Sequence, residues 1–548
     1  LYINTKLTHT MSQPTIFFNN LCKNFETTGI DANSLIKVPI EGAKFGILTL
    51  NAVSCGISEQ EQDFVFTIDH SGSMSDRCSD GRTKIQHINH TLKNMILYFH
   101  DNRIINLHVT VFAFDDKFVT VLERTRISAT NLQEILIKID CIQPRGSTNI
   151  ELALIETGKY IAQLRDENPL HSINHIFMTD GDATEGSKDH KVLKSLVDPS
   201  VENAFIGFGV NHDSLLLGNI SDYKKSSYHF IDALEKAGLV YGEILHGILY
   251  KYLTEVEVCI QNGLVYDFKT NQWLDKLFIG DISGEANKTY HLISNTPDNC
   301  TIMLSCKNSG EEHFFRVPEL INPDANHIKY IYRQKTLELL FEVGNLQKNK
   351  LEANKLCDFD CFTTLTMSRQ DADNYTSKMT AIKDEEKLLK EKLRTFFEQI
   401  KKYMSDNNLN DDSFLKNLCD DIYISHRTLG TTYGAMYTTA RQTSQGTQRC
   451  YTVSHTPQDD QELTNINTPF TIFRAPRMLR HTNHYHTPNL FGDFNNNMSL
   501  LNPDELIHNL SSFAEAPYLT PTATRLMRDV SCNIDDDYMN PLEETKDI

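Results

Sequence analysis

The chain has 548 residues, 40% of them hydrophobic, and a formal net charge of −19 at pH 7. Such a length exceeds what one hydrophobic core supports and implies roughly two to four domains. The acidic balance excludes a general binder of nucleic acid or of anionic membrane, because both need a basic face. The 12 cysteines contain no C-x-x-C, and neither Cys357/Cys361 nor Cys300/Cys306 is followed by an ordered second pair. That spacing excludes a zinc-finger framework and suits scattered thiols in a reducing compartment. No run reaches the roughly 20 apolar residues that span a bilayer. Leu239–Leu253 is interrupted by Glu243, His246 and Lys251 and reads as an amphipathic helix. The start carries no signal peptide pattern, and Met11-Ser-Gln-Pro reads as a natural beginning after residues 1–10. An intracellular, cytoplasmic protein is expected.

In chain order, residues 1–36 are expected to be a flexible segment, and 37–62 to hold an alternating strand at Ala43–Ala52. Asp63-Phe-Val-Phe-Thr-Ile-Asp69 follows, β-branched and aromatic without polar alternation, which predicts a strand buried on both faces. Its carboxyl end is loaded with Asp69, Ser71 and Ser73 around Gly72. An amphipathic helix is predicted near 83–100, with Ile85, Ile88, Leu92, Met95 and Phe99 on one face. Next come strand Leu107–Phe114 and an edge partner at Lys117–Leu122. Arg145-Gly-Ser-Thr148-Asn then opens a helix over 149–165. His175-Ile-Phe-Met-Thr-Asp180 belongs to a second buried strand, 173–179, that ends in an acid. Helix 188–197, strand 203–209 and helix 233–252 complete the alternation. The series predicts a doubly wound, mostly parallel α/β sheet over 63–252. Gly207 and Gly209 form a G-x-G without the third glycine or helix opening of a nucleotide loop.

Residues 253–332 change to short alternating runs, Glu255–Ile260, Ile279–Ile282, Tyr290–Ile293 and Cys300–Cys306, which predict an antiparallel β-sandwich module. Ala43–Ala52 lacks a local partner and is expected to pair into this module, so that the α/β domain is inserted within a sandwich. Residues 333–440 read as helical. Leu389, Leu393, Phe396, Ile400 and Tyr403 form a narrow seam facing Leu415, Leu418 and Ile422, which implies an α-helical hairpin. From 441 to 548 the composition is polar and aperiodic, predicting a mostly disordered tail. Two apolar-basic islands, Phe470–Arg480 and Pro517–Cys532, are docking candidates for a partner or for the parent fold. His481, His484 and His486 have no neighbours that would fix a metal geometry.

Asp69, Ser71, Ser73, Thr148 and Asp180 are all oxygen ligands suited to a small hard cation, set at strand and helix ends. A D-x-S-x-S run, a distant Thr and a distant Asp in this order resemble the metal-ion-dependent adhesion site of von Willebrand factor A (vWA) domains. The resemblance implies that Ser71, Ser73 and Thr148 contact Mg²⁺, or another divalent cation such as Mn²⁺, directly. Asp69 and Asp180 would act mainly through water and by orienting the hydroxyls. A Glu or Asp of a partner protein would complete the ion's shell. Asp182 is a candidate for the rim.

Ala204-Phe-Ile-Gly-Phe-Gly-Val-Asn-His-Asp213, the strands from 254 onward and the helical pair ending in Ala440-Arg-Gln-Thr resemble, over 37–455, an intracellular plant and protist branch in which a region called VWA/Hh-protein-intein-like follows the domain. Some plant relatives carry a RING finger, but residues 1–60 hold only Cys22 and Cys55, so ligase activity is not implied. Thr452-Val-Ser-His455 matches an intein block literally, but without the nucleophiles that self-processing needs. An Asn- and Ile-rich, Trp-poor composition suits protists and large DNA viruses, and would mean a virion-associated protein in the latter case. The expected function is a non-enzymatic scaffold that binds an acidic protein motif through Mg²⁺. The alternatives are a non-RING adaptor of a ubiquitin-ligase-type assembly, or a metal-dependent hydrolase with His70 as the nearest base. Neither nucleic acid nor membrane is expected as a partner.

Overall fold

A computed structural model of the chain describes residues 16–26, 35–78, 81–209, 212–231, 237–320, 326–358, 369–430, 434–449 and 518–531. The described chain opens with β1 (Phe18–Phe25) and β2 (Lys44–Ala52), paired antiparallel. β1 corrects the expectation of a flexible segment over 1–36. Phe17, Phe18, Leu21 and Phe25 are buried, and Phe17 and Phe18 both set their rings edge-on to Phe315 at 5.6 Å. The pairing register slips between Phe18 and Asn20, and this bulge hides the strand from a period-two reading.

The alternating region is built from β3 (Gln62–Asp69), α1 (Lys84–Asp101), β4 (Leu107–Phe114), β5 (Phe118–Arg126), α2 (Leu132–Asp140) and α3 (Ile150–Glu167). It continues through β6 (Ser172–Thr179), α4 (His190–Ser195), β7 (Glu202–Phe208), α5 (Ser214–Ile220), β8 (Ser226–Ile231) and α6 (Ala237–Leu249). The strands form one sheet in the order β5-β4-β3-β6-β7-β8, parallel except for the edge strand β5. Every residue of β3 is buried because both faces are covered. Phe64, Phe66 and Ile68 share a core with Ile88, Leu92 and Phe99 of α1. Val65 packs with Ile161 and Leu164 of α3, and the Thr67 hydroxyl meets that of Thr157 at 3.0 Å. Three short elements, α2, α5 and β8, escaped the periodicity reading, as expected for segments of nine residues or fewer. The helix expected over 233–252 ends at Leu249, and a strand begins at Lys251.

That strand is β9 (Lys251–Gln261). It is followed by β10 (Leu264–Asp267), β11 (Gln272–Leu274), β12 (Lys276–Ser283), β13 (Asn287–Ser294), β14 (Thr301–Asn308) and β15 (Glu311–Arg316). Two antiparallel sheets result, β1-β2-β13-β10-β11 and β12-β9-β14-β15. Leu48, Leu50 and Leu292 from one meet Val256, Val258, Ile302 and Leu304 from the other in a shared core. β2 pairs with β13 from Lys44↔Ser294 to Asn51↔Asn287. The chain therefore leaves the sandwich after β2, builds the six-stranded sheet and re-enters at β9. The two crossing points are held together, with Ser58 N donating to Leu249 O at 2.8 Å and Gly284 N to Tyr250 O at 2.9 Å.

Among the described residues four helices follow, more than the expected hairpin: α7 (His327–Asp358), α8 (Arg369–Asp406), α9 (Ser413–Thr428) and α10 (Gly434–Thr447). The Leu389, Leu393, Phe396 and Ile400 seam of α8 meets Leu415, Leu418 and Ile422 of α9, and Leu339, Val343 and Leu346 of α7 complete the core. α10 returns to the six-stranded sheet, with Tyr437 edge-on to Phe230 at 5.2 Å. Its Arg441 is buried, donating to Asp421 at 2.9 Å and to Asp420 at 3.3 Å. Burial pushes the Asp421 carboxyl up to about 7, against the lowering pull of Arg441.

The expectation of a mostly disordered tail from 441 onward is corrected over 441–449, and the island Pro517–Cys532 docks on the parent fold over 518–531, one of the two roles expected of it. α10 runs through Thr447, and α11 (Pro521–Ser531) docks on α6 and α1. α11 buries Ala523, Leu526, Met527 and Val530, and Asn94 of α1 donates to Val530 O at 3.0 Å. Burying Leu526, Met527 and Val530 contributes roughly 1.5–3 kcal/mol each, offset by ordering the segment. Gly238 and Gly242, one turn apart on α6, let α11 approach. A Cβ at Gly242 would lie 2.5 Å from Met527 Cα, and one at Gly238 2.5 Å from the Ser531 hydroxyl. Gly242→Ala should raise the helix propensity of α6 yet undock α11, because the obstructing atom is backbone. Amide exchange over 521–531 should lose protection while β3 and β6 keep theirs. Unchanged protection of α11 would refute this packing account. The island Phe470–Arg480, His481, His484, His486, Thr452 and His455 lie outside the described residues, as does most of the tail.

Candidate metal site at the carboxyl ends of β3 and β6

From β3 the chain moves outward to β4 and β5, then returns to the other side of β3 as β6. This reversal opens a crevice beyond the carboxyl ends of β3 and β6, where ligands bind in open α/β sheets. Asp69 is the last residue of β3 and Asp180 directly follows β6, and both are fully buried. Thr148 comes from the loop before α3. That loop is laced to the turn after β3: Arg145 N donates to His70 O at 2.8 Å, and Gly72 N to Gly146 O at 3.1 Å. Gly146 has φ +65°, and a Cβ there would stand 2.9 Å from an Asp115 carboxylate oxygen, so the crossing of the two loops needs glycine.

The five residues named from sequence converge. Asp69 Oδ1 accepts from Ser71 N at 2.8 Å, and Oδ2 accepts from the Thr179 hydroxyl at 2.7 Å. The Ser71 and Ser73 hydroxyls are 3.2 Å apart, and Ser73 donates to Asp180 Oδ1 at 2.7 Å. The Ser73 and Thr148 hydroxyls both lie 3.9 Å from the point where a Cβ on Gly181 would stand, so the two hydroxyls border the same spot. Thr148 is held by its backbone, its N–H donating to the Thr184 hydroxyl at 2.8 Å and its carbonyl accepting from Thr184 N at 2.9 Å. Its hydroxyl takes no part in these two bonds. Burial, reinforced by the Asp180 charge, pushes the Asp69 carboxyl up to about 6. Asp182 is exposed beside the site.

Sequence reasoning missed Lys84. Its ammonium, at the first residue of α1, lies 2.6 Å from Asp180 Oδ2 and 3.1 Å from Asp76. Burial would lower this ammonium, but the charges and hydrogen bonds of Asp180 and Asp76 outweigh it and raise the group above its ordinary value. Nothing in the local pattern marks Lys84, since an N-terminal helical lysine normally points to solvent. Thr179 was missed as well, being read only as part of a strand.

The donor set fits a hard divalent cation: three hydroxyls and two carboxylates around one crevice, without sulfur or imidazole. A second group of metal-ligand types, Glu61, His108 and His171, places one donor atom each within 4.8 Å of the others. It lies at the opposite end of the sheet, and a cation already fills its centre. Arg124 Nη2 is 3.1 Å from His108 Nδ1 and 3.2 Å from His171 Nδ1, while Arg124 Nε holds Asp63 at 2.7 Å. Arg126 takes Glu61 at 2.7 Å. This cluster is an ion-pair network. The eight cysteines whose side chains are described are free thiols, and Cys361 lies outside the described residues. Among the described residues, no helix is long and apolar enough to cross a membrane.

Residues 64–182 match the sequence profile of the von Willebrand factor type A domain. No curated protein matches the chain. Among solved structures it is similar to a von Willebrand factor type A protein from Catenulispora acidiphila, at 17% identity over 64% of this chain and 85% of that one, with a TM-score of 0.40. It is also similar to the ArnB paralog VWA2 from Sulfolobus acidocaldarius, at 12% identity over 77% and 98% of the two chains, with a TM-score of 0.41. A third likeness is to proximal thread matrix protein 1 of the mussel byssus, solved with zinc in its MIDAS motif. There the identity is 19% over 33% and 46% of the two chains, with a TM-score of 0.27. The matched residues run from β3 to just past β6 and include Asp69, Ser71, Ser73, Thr148 and Asp180. The chain contains a von Willebrand factor A domain.

Proposed function

We propose that this domain is a protein-interaction module that holds a divalent cation, Mg²⁺ first, and uses it to capture a carboxylate of a partner protein. One observation carries the reading. All four carboxylate oxygens of Asp69 and Asp180 are already engaged by protein donors: Ser71 N, Thr179, Ser73 and Lys84. The hydroxyls of Ser71, Ser73 and Thr148 are left as the direct ligands. Asp69 fixes the Ser71 amide and Asp180 aims the Ser73 hydroxyl. When bound, the cation supplies positive charge and a coordination position that a partner's Asp or Glu can occupy. Short hydroxyl ligands in a compact crevice favour Mg²⁺, at about 2.1 Å, over the longer Ca²⁺ bonds.

Hydrolysis is not part of the proposal. The His70 ring is buried, and its Nδ1–H donates to the Gln143 carbonyl at 2.9 Å, tying it to the loop rather than to the hydroxyls. Nor does an adaptor contact through the 517–532 island recommend itself, because α11 spends that apolar face inside the fold. Free thiols suit the reducing compartment in which we place the protein. The test is calorimetric titration of the full chain with Mg²⁺. Asp69→Ala should abolish binding and leave the fold intact, since the side chain lies at a strand end. Equal Mg²⁺ affinity in wild type and Asp69→Ala would sink the assignment.

A further inference from the structure

We propose that Lys84 sets the charge of the site, so that the cation is held loosely until a partner carboxylate arrives. The proposal rests on the metal-site reading above and adds to it a coupling between ion and partner. The Lys84 ammonium lies 2.6 Å from Asp180 Oδ2, with side chains 15% and 0% exposed. Its other acid, Asp76, is 61% exposed, and water screens that pair. Lys84 is held where it is needed. It begins α1 directly after the N-cap Thr83, inside the Thr83–Gln86 capping box, and its N–H donates to Asp76 O at 3.0 Å.

The consequence follows from counting formal charges among the buried groups. Asp69 and Asp180 contribute −2 and Lys84 +1, leaving −1 to face a dication. The loaded site then carries a net +1, which one partner carboxylate neutralises. Without Lys84, Asp69 and Asp180 would neutralise the ion by themselves, and an incoming carboxylate would meet a neutral centre. Metal affinity in oxygen sites rises with the negative charge of the ligand set, so the lysine lowers the affinity for the bare ion. It thereby raises the dependence of ion uptake on the partner. Lys84 also keeps Asp180 paired while no ion is bound, so the crevice holds its shape in both states.

The test uses Mn²⁺ alone on the full chain, with affinity read by calorimetry and the unfolding midpoint read in EDTA and in excess Mn²⁺. Lys84→Gln keeps a donor for Asp180 and removes the charge. Lys84→Arg keeps the charge. Asp69→Ala sets the background. Lys84→Gln should bind Mn²⁺ roughly tenfold tighter than wild type. Its unfolding midpoint should fall in EDTA and recover with Mn²⁺ by more than that of wild type. Lys84→Arg should behave as wild type in both measurements. Equal or weaker Mn²⁺ binding by Lys84→Gln, with wild type above the Asp69→Ala background, overturns the role of Lys84 and leaves the site reading standing. Binding at background level in all variants overturns the site reading itself. Binding that emerges only in Lys84→Gln supports the lysine as the stronger occupant.

Discussion

Thr148→Ala should lower divalent-cation affinity by more than about 100-fold and abolish capture of an acidic partner, with no comparable loss of fold. The magnitude follows from removing a direct ligand, since disturbing even the residues behind a ligand typically costs 10–100-fold in metal affinity. The fold should persist because both backbone anchors of Thr148, to Thr184 N and to the Thr184 hydroxyl, survive the substitution. Thr148 also lies far in sequence from Ser71 and Ser73, so its effect tests the assembled crevice and not a local turn. Neutralising one acid on the partner should cause the same loss. A partner that binds Thr148→Ala in the presence of EDTA as well as it binds wild type with Mg²⁺ would move the interaction elsewhere on the molecule.

The largest effect on stability is expected at Arg441. Its guanidinium is buried against Asp421 at 2.9 Å, with side chains 1% and 0% exposed, and Gln445 adds a hydrogen bond to Asp421 at 2.6 Å. Arg441→Met should destabilise the protein by about 3–5 kcal/mol, because a buried carboxylate is left without its counter-charge. The loss should be largest above pH 7 and shrink as pH falls towards about 7, because removing Arg441, which lowers the Asp421 carboxyl, raises it further in the variant. Asp421 already has a raised pKa, and once protonated it carries no unpaired charge. Arg441→Met combined with Asp421→Leu should recover much of the stability, since a packed apolar pair replaces the ion pair without an orphan. Urea unfolding at two pH values checks all three statements. A single variant within about 1 kcal/mol of wild type would show that the pair contributes nothing net.

Five of the six strands of the mostly parallel sheet, β3 to β7, were legible because their signal is local. A strand covered on both faces must be apolar throughout, and Asp63–Asp69 and Ile173–Thr179 are read as such in any context. The five oxygen-bearing residues of the candidate site could be picked out for a related reason. Asp69, Ser71 and Ser73 interrupt an apolar run where nothing else explains them, and Thr148 and Asp180 stand at equivalent ends. The pairing of Ala43–Ala52 with a strand beyond 250 could be anticipated only from its lack of a local partner. β1 was missed, because Asn19 and Asn20 break its alternation and its burial depends on Phe315, nearly three hundred residues away.

By itself, the sequence determined that β3 and β6 are buried on both faces and where the oxygen-bearing residues beyond their carboxyl ends lie. Each of these follows from the periodicity or composition of a short window. Tertiary structure alone decided that α11 belongs to the core of the vWA domain. Its apolar face has the same pattern whether it meets α6, a partner or nothing, and only the close approach allowed by Gly238 and Gly242 selects the first. Tertiary structure likewise decided that Lys84 is part of the site. A lysine beginning a helix has no local reason to turn inward, and what draws it there is the buried Asp180 carboxylate brought in by a strand ninety residues later.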